Sequence, residues 1–211
     1  MTLISRRGMM VLSLAGTVLV AACSSPNPRL FTLAPVPSLA KGGGPRVVLL
    51  HQIVVARYLE RPEIVRSSDN YRLDVMAIDA WGEPIGAMLG RVLAENLSQR
   101  LPGTTVVGSD SAVAAKEDAS VGVNIQRMDI DASLALVLSA QASVTFTDSR
   151  RASEMRSLNT KVPVSAATVG EEVRGGSIAL GRLADEIAAM LREPVHHPPP
   201  ARPSHPARQR R

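Results

Sequence analysis

The sequence predicts an α+β domain in which two main helices pack on one face of a mixed, mainly antiparallel sheet. Three runs, over 121–126, 134–146 and 158–164, alternate apolar with smaller or polar residues and are joined by short turns. Two other stretches, 85–101 and 180–191, place apolar residues every three to four positions, and the second closes the folded part of the chain. Alternation with period two makes a sheet with one covered face, and stripes near period 3.6 make helices able to cover it.

The chain opens with Arg6 and Arg7, followed by uncharged, mostly apolar residues from Met9 to Ala22. That length suits an export-signal core and falls short of the roughly 20 residues a spanning helix needs. The segment ends Leu19-Val20-Ala21-Ala22-Cys23, small residues ahead of the only cysteine. Small side chains let this stretch lie extended in a peptidase groove, and the thiol can be acylated. The arrangement resembles the lipobox of bacterial lipoproteins. Residues 1–22 are therefore expected to be a lipoprotein signal peptide, with Cys23 as the lipidated first residue and 23–28 as lipidated N-terminus and tether. Ser5-Arg6-Arg7 carries part of a twin-arginine signal, so the export route stays open. A single cysteine allows no intramolecular disulfide, so the domain relies on its core. Ser24 and Ser25 stand where an aspartate would retain such a lipoprotein in the inner membrane, which implies a lipid anchor on the periplasmic face of the outer membrane.

After the tether, Arg29-Leu30-Phe31-Thr32-Leu33 reads as a short strand, and the Pro- and Gly-rich 34–46 as a loop. Residues 46–57, with Val47, Val48, Leu49, Leu50, Ile53, Val54 and Val55, read as one buried strand that includes His51. The plain expectation for His51 is a sheet histidine with its ring hydrogen-bonded. Arg61-Pro62 forces an extended or turn geometry before the next strand, 71–78. Pro84 suits the first turn of a helix whose stripe is Ile85, Leu89, Val92, Leu93, Leu97 and Leu101; Glu83 and Arg100 match its dipole, and Pro102-Gly103 stops it. A short strand at 104–108 leads into the alternating runs, with turns expected at Asp129–Ser133 and Asp148–Ser153. Thr168 and Glu171 fit a capping box, but Gly175 and Gly176 suggest a firm helix only from Ser177. The folded domain is thus expected at 29–193. Residues 194–211, rich in Pro, Arg and His, are expected to be a disordered tail with polyproline II character.

The formal charge of +5 is a property of the ends. Six of the 24 basic residues lie in the leader or the tail, whereas all 19 acidic residues fall within 23–193. With only five aromatic residues besides, the domain lacks the basic patch and stacking platform of a nucleic-acid binder. No nucleophile elbow, zinc-protease motif or phosphate loop is present. No catalytic residue, metal ligand or cofactor is therefore assigned. The pairs Glu171-Glu172 and Asp185-Glu186 are expected on solvated helix surface, because neighbouring helical residues point about 100° apart.

Several segments together resemble a known family: the lipobox, Leu30-Phe31-Thr32-Leu33, Tyr58-Leu59-Glu60-Arg61-Pro62-Glu63-Ile64-Val65, and Trp81-Gly82-Glu83-Pro84-Ile85 opening a helix that ends Leu101-Pro102. The combination resembles the ABC-type transport auxiliary lipoproteins, the group of paraquat-inducible protein C-like lipoproteins. Leu30 and Phe31 stand where that family often has two tyrosines, and Ala80 where it has an arginine. The resemblance implies a noncatalytic outer-membrane component of an MCE-type intermembrane phospholipid transport system. Its partners would be the MCE-type periplasmic lipid-binding protein with its inner-membrane complex, and the outer membrane itself. Self-association stays open. The candidate partner-binding residues are Tyr58, Leu59, Arg61, Pro62 and Trp81, of the aromatic and arginine type enriched at interface hot spots. Against this, Tyr58 and Trp81 could simply pack the sheet on the first helix. Two other functions compete: an envelope assembly or regulatory lipoprotein that binds an enzyme without handling lipid, and a hydrolase acting through His51. On the anchor, Cys23→Ala should abolish lipid labelling and release the protein from membranes; retention through a high-salt wash would disprove the assignment.

Overall fold

The computed structural model describes residues 27–69, 71–112 and 115–192; the leader, Cys23 and the tail lie outside the described residues. In chain order the elements are β1 (Arg29–Phe31), β2 (Val47–Leu50), β3 (Val54–Val55), β4 (Glu63–Asp69), β5 (Arg72–Trp81), α1 (Ile85–Arg100), β6 (Thr105–Gly108), β7 (Ala119–Ile130), β8 (Ala135–Phe146), β9 (Glu154–Pro163) and α2 (Val169–Arg192). A 3-10 turn, Arg57–Leu59, separates β3 from β4.

The alternating runs pair as expected. β7 and β8 are antiparallel with Val121 opposite Val144 and Ile125 opposite Ala140, and β9 adds antiparallel to β8. The large sheet runs β6-β2-β7-β8-β9, with β2 parallel to both neighbours and β3 also parallel to β7. A smaller sheet, β1-β5-β4, holds β1 parallel and β4 antiparallel to β5. The fold is α+β, with mostly antiparallel mixed sheets and two helices.

Several local expectations need correction. Residues 46–57 are not one strand: Leu50 faces Val121 but Val54 faces Asn124, so β2–β3 carries one residue more than β7. That residue is accommodated as a bulge, where Ile53 turns into the core and His51 and Gln52 turn out. His51 is therefore an exposed residue at a bulge and not a sheet histidine. The β7–β8 turn starts at Asp131, whose carboxylate accepts from the Ser133 amide at 2.9 Å and the Ala135 amide at 3.2 Å. Leu134 takes a left-handed φ of 54° there, and Asp129 stays in the strand, buried. On β5 the alternation faces outward, leaving Leu73, Val75 and Ile78 exposed.

The glycines of α2 do not delay it. The helix begins at Val169, with the Glu171 amide donating to Thr168 Oγ1 and the Glu171 carboxylate bonded to Ser165. A Cβ on Gly175 would stand 3.0 Å from Leu136 Cβ, and one on Gly176 would stand 3.2 Å from Leu33 Cδ2. Their missing side chains let α2 lie close on the sheet. The 34–41 segment is a strap in the crease between the helices: the Ala34 amide donates to Ser177 Oγ, the Val36 amide to Asn96 Oδ1, and the Lys41 amide to the Arg100 carbonyl. Leu33 touches Met88 near the start of α1 and Gly176 early in α2, while Arg100 reaches Asp185 late in α2. The two helices therefore run in the same direction. Arg100 sits in the last turn of α1 as expected and donates to the Asn96 carbonyl there, but its side chain is buried, at 3 % exposure.

Gly175→Val should cost about 1–3 kcal/mol through overpacking. Gly90→Ala, at an α1 position with open space around it, should gain about 0.5–1 kcal/mol from helix propensity. Chemical denaturation of both variants checks the contrast.

Candidate docking groove

The two segments that carry the family resemblance meet at the N-terminal end of α1. Gly86 brings this end against the β2–β3 bulge, since a Cβ there would lie 3.2 Å from the Ile53 carbonyl oxygen. Pro84 caps the helix without donating an amide. On the other side, the Trp81 amide donates to the Pro62 carbonyl at 2.7 Å and the Gly82 amide to the Phe31 carbonyl at 2.8 Å. The 3-10 turn is closed by the Leu59 amide on Ala56 and followed by the Arg61 amide on Leu59, both at 2.8 Å. The loop is thus fixed through its backbone, with Glu60, Arg61 and Pro62 exposed on it.

At this junction lies a groove of about 690 Å3, lined by Ile53 and Val55, by Glu60, Arg61 and Pro62 of the loop, and by Trp81, Pro84 and Gly86. A second hollow of about 620 Å3 continues along α1 past Ala87, Gly90 and Ala94, with His51 and Asp110 opposite. Glu83 pairs with Arg91 at this face, and Arg61 with Glu63 at 3.4 Å. Both pairs are solvent-exposed and contribute under about 1 kcal/mol.

The five sequence candidates fall into three groups. Arg61 and Pro62 are exposed at the groove. Leu59 and Trp81 are core residues, at 4 % and 8 % exposure, although Trp81 also lines the groove. Tyr58 is half-buried and its hydroxyl donates to Asp129 Oδ2 at 3.2 Å. Ile53, Glu60 and the small wall of Gly86, Ala87 and Gly90 were not foreseen. The signal for that wall was present: small residues at 86, 90 and 94 repeat every four positions opposite the apolar stripe.

Behind the loop lies a buried ionic cluster. Arg127 Nη2 donates to Asp129 Oδ1 at 2.7 Å, and Arg66 Nη2 to Glu172 Oε2 at 3.0 Å, with Arg66 Nη1 on the Ala167 carbonyl. Burial, reinforced by Asp129, pushes the Tyr58 hydroxyl up to about 12. Burial outweighs the adjacent Arg66 at Glu172 and pushes its carboxyl up to about 7, with Asp129 adding to the rise. The solvated-surface expectation therefore holds in part for Glu171, which is partly exposed, and fails for Glu172, which is 3 % exposed. The 100° between neighbours turns one out and the other in. Among the described residues no group of three or more metal-ligating side chains occurs, and no helix is long and apolar enough to cross a membrane.

Two helices over one face of a mixed sheet, with an apolar groove where the first helix meets both sheets, define a two-layer α+β domain. The chain belongs to the family of ABC-type transport auxiliary lipoprotein components, whose pattern matches residues 31–188. It is thus a lipoprotein component of a transport system, anchored in the cell envelope. An uncharacterised protein of known crystal structure superposes with a TM-score of 0.65 at 16 % identity, over 78 % of this chain and 98 % of that one. A protein from Xanthomonas campestris gives 0.58 at 17 % identity, over 78 % and 93 %. At such identities the likeness concerns the fold. No curated protein sequence matches the chain.

A carboxyl raised to about 7 holds its proton in the folded state at pH values where the unfolded chain has released it. The contribution of Glu172 to stability is therefore greatest below its unfolded value and is lost as pH rises from about 4.5 to 7, by on the order of 3 kcal/mol. Asp131, held down to about 2 by Ser133 and Lys161, acts in a separate window: its contribution is lost only as pH falls below 4. Glu172→Gln, whose amide oxygen still accepts from Arg66, should flatten the upper slope. Denaturation midpoints between pH 4.5 and 8 test this, and an unchanged slope would refute it.

Proposed function

We propose that this chain is the outer-membrane-anchored, noncatalytic docking component of an MCE-type phospholipid transport system, and that the groove receives the periplasmic end of the lipid-binding protein. One observation carries the reading. The family-bearing segments 58–65 and 81–85, distant in sequence, are joined backbone to backbone and line one groove together. Rigid loops on a scaffold suit recognition, because little ordering entropy is lost on binding. Ser24 and Ser25 after the lipobox support the outer-membrane site of anchoring.

Tyr58, Leu59, Arg61, Pro62 and Trp81 divide the work in this reading. Arg61 and Pro62 contact the partner directly. Trp81 offers apolar surface in the groove wall. Leu59 and Tyr58 hold the loop, the latter through Asp129. Arg61→Glu combined with Ala87→Arg changes exposed side chains only. It should weaken co-purification with the MCE-type protein by roughly 2–4 kcal/mol, the scale of hot-spot loss. Circular dichroism should stay unchanged. Normal co-purification by a folded double variant would remove the groove from the interface. Capture of an envelope enzyme in place of transport components would favour an assembly or regulatory lipoprotein.

A further inference from the structure

The C-terminal tail carries a pattern that the transport reading does not use. Pro200, Pro203 and Pro206 recur at every third residue, and so do Arg202, His205, Arg208 and Arg211. A polyproline II helix has three residues per turn, so in that conformation the prolines form one face and the basic residues another. Segments of this kind dock in grooves lined by aromatic and apolar side chains, because the extended helix loses little entropy on binding.

The groove beside Trp81 has that character. Trp81, Pro62, Pro84 and Ile53 supply the apolar contact surface, and Gly86 leaves room beside them. Glu60 and Asp110 are exposed at it and at its continuation, with Glu83, paired to Arg91, between them; Arg61 beside them is paired with Glu63. The tail holds four arginines.

The chain ends in the right place. Arg192 at the end of α2 donates to the Lys41 carbonyl, and the Lys41 amide is bonded to the Arg100 carbonyl. The tail therefore leaves the fold beside the C-terminal end of α1, and the hollow along Ala94, Gly90 and Ala87 leads back to its N-terminal end. The 16 residues of α1 span about 24 Å. Residues 193–199 would cover about 22 Å in polyproline II form, which brings the proline-bearing 200–206 stretch to the N-terminal end of α1 and the groove there.

We propose that the tail folds back along α1 and seats Pro200, Pro203 and Pro206 in the groove beside Trp81, with its arginines toward Glu60, Glu83 and Asp110. The groove is then occupied by the chain's own terminus in the free protein. A tethered segment with an effective concentration in the millimolar range needs only about 0.1 mM affinity to be docked roughly nine times in ten.

The test uses Trp81 as the only tryptophan. In the full chain with Cys23→Ser, Ser204→Cys introduces a single thiol on the third face of the tail, which carries a bimane label quenched by contact with tryptophan. Emission should be severalfold lower than in the same chain with Pro200→Ser, Pro203→Ser and Pro206→Ser. Gly90→Gln should restore emission, because it fills the hollow at a position with no neighbour within 4 Å. Circular dichroism checks that it folds; if it does not, the proline comparison decides. Equal emission with and without the prolines overturns the proposal, as does quenching that persists in folded Gly90→Gln. Quenching that grows with protein concentration assigns the contact to a second copy and overturns it too. None of these measurements involves the transport partner, so they stand or fall apart from the docking function.

Discussion

The close seating of α2 is the constraint on which the rest of the structure depends. Gly175 and Gly176 let the helix settle on Leu136, Val164 and Leu33, and a Cβ on Gly181 would lie 3.1 Å from Val36. Side chains at these positions would lift α2 from the sheet and close the crease that holds the strap. The strap in turn decides how α1 lies. It brings Val36 to Asn96 and Lys41 to Arg100, and the buried Arg100 guanidinium is met by the Asn96 carbonyl at 3.0 Å and Asp185 at 2.7 Å. Asn96 contributes its oxygen to this arrangement while its Nδ2 has no hydrogen-bond partner. Leaving such a group unpaired costs about 1–3 kcal/mol, which the bonds around Arg100 offset. The parallel course of the helices, the groove at one end of α1 and the exit of the chain at the other all follow from this packing.

Charge has a structural role here that the composition hides. Asp129, Glu172 and Arg100 are buried, and each is met by a charged partner on another part of the fold or two residues away. Removing one member of such a pair leaves an uncompensated charge, so these contacts bear on register more than on net stability. The cluster behind the loop joins Tyr58, β7, β4 and the first turn of α2. A change in the protonation of Glu172 therefore acts on the element that backs the groove wall.

For a lipoprotein of a transport system, this arrangement separates two tasks. The anchor supplies membrane attachment, and the domain supplies a fixed surface. The walls of the groove are held by backbone hydrogen bonds and by Gly86 against Ile53. In the proposed docking role, specificity rests on a few exposed side chains such as Arg61 and Pro62, whose replacement leaves the core intact.

The sequence by itself determined the order of the elements, the two stripes that become helices and the three long strands, because these depend on periodicity within one segment. Ile85 to Leu97 and Val121 to Phe146 are legible for that reason. It also carries the two family-bearing segments, with Arg61, Pro62 and Trp81 in them. Tertiary structure alone decided which face each segment turns inward. The extra residue in β2–β3 moved His51 to the surface, β5 presented its apolar residues outward, and Glu172 was buried while its neighbour was not. It also decided that Gly175 and Gly176 mark a close approach and not a helix break, and that a groove forms where 58–62 meets 81–87. These outcomes depend on contacts between residues far apart in the chain, and no local pattern records the partner's position.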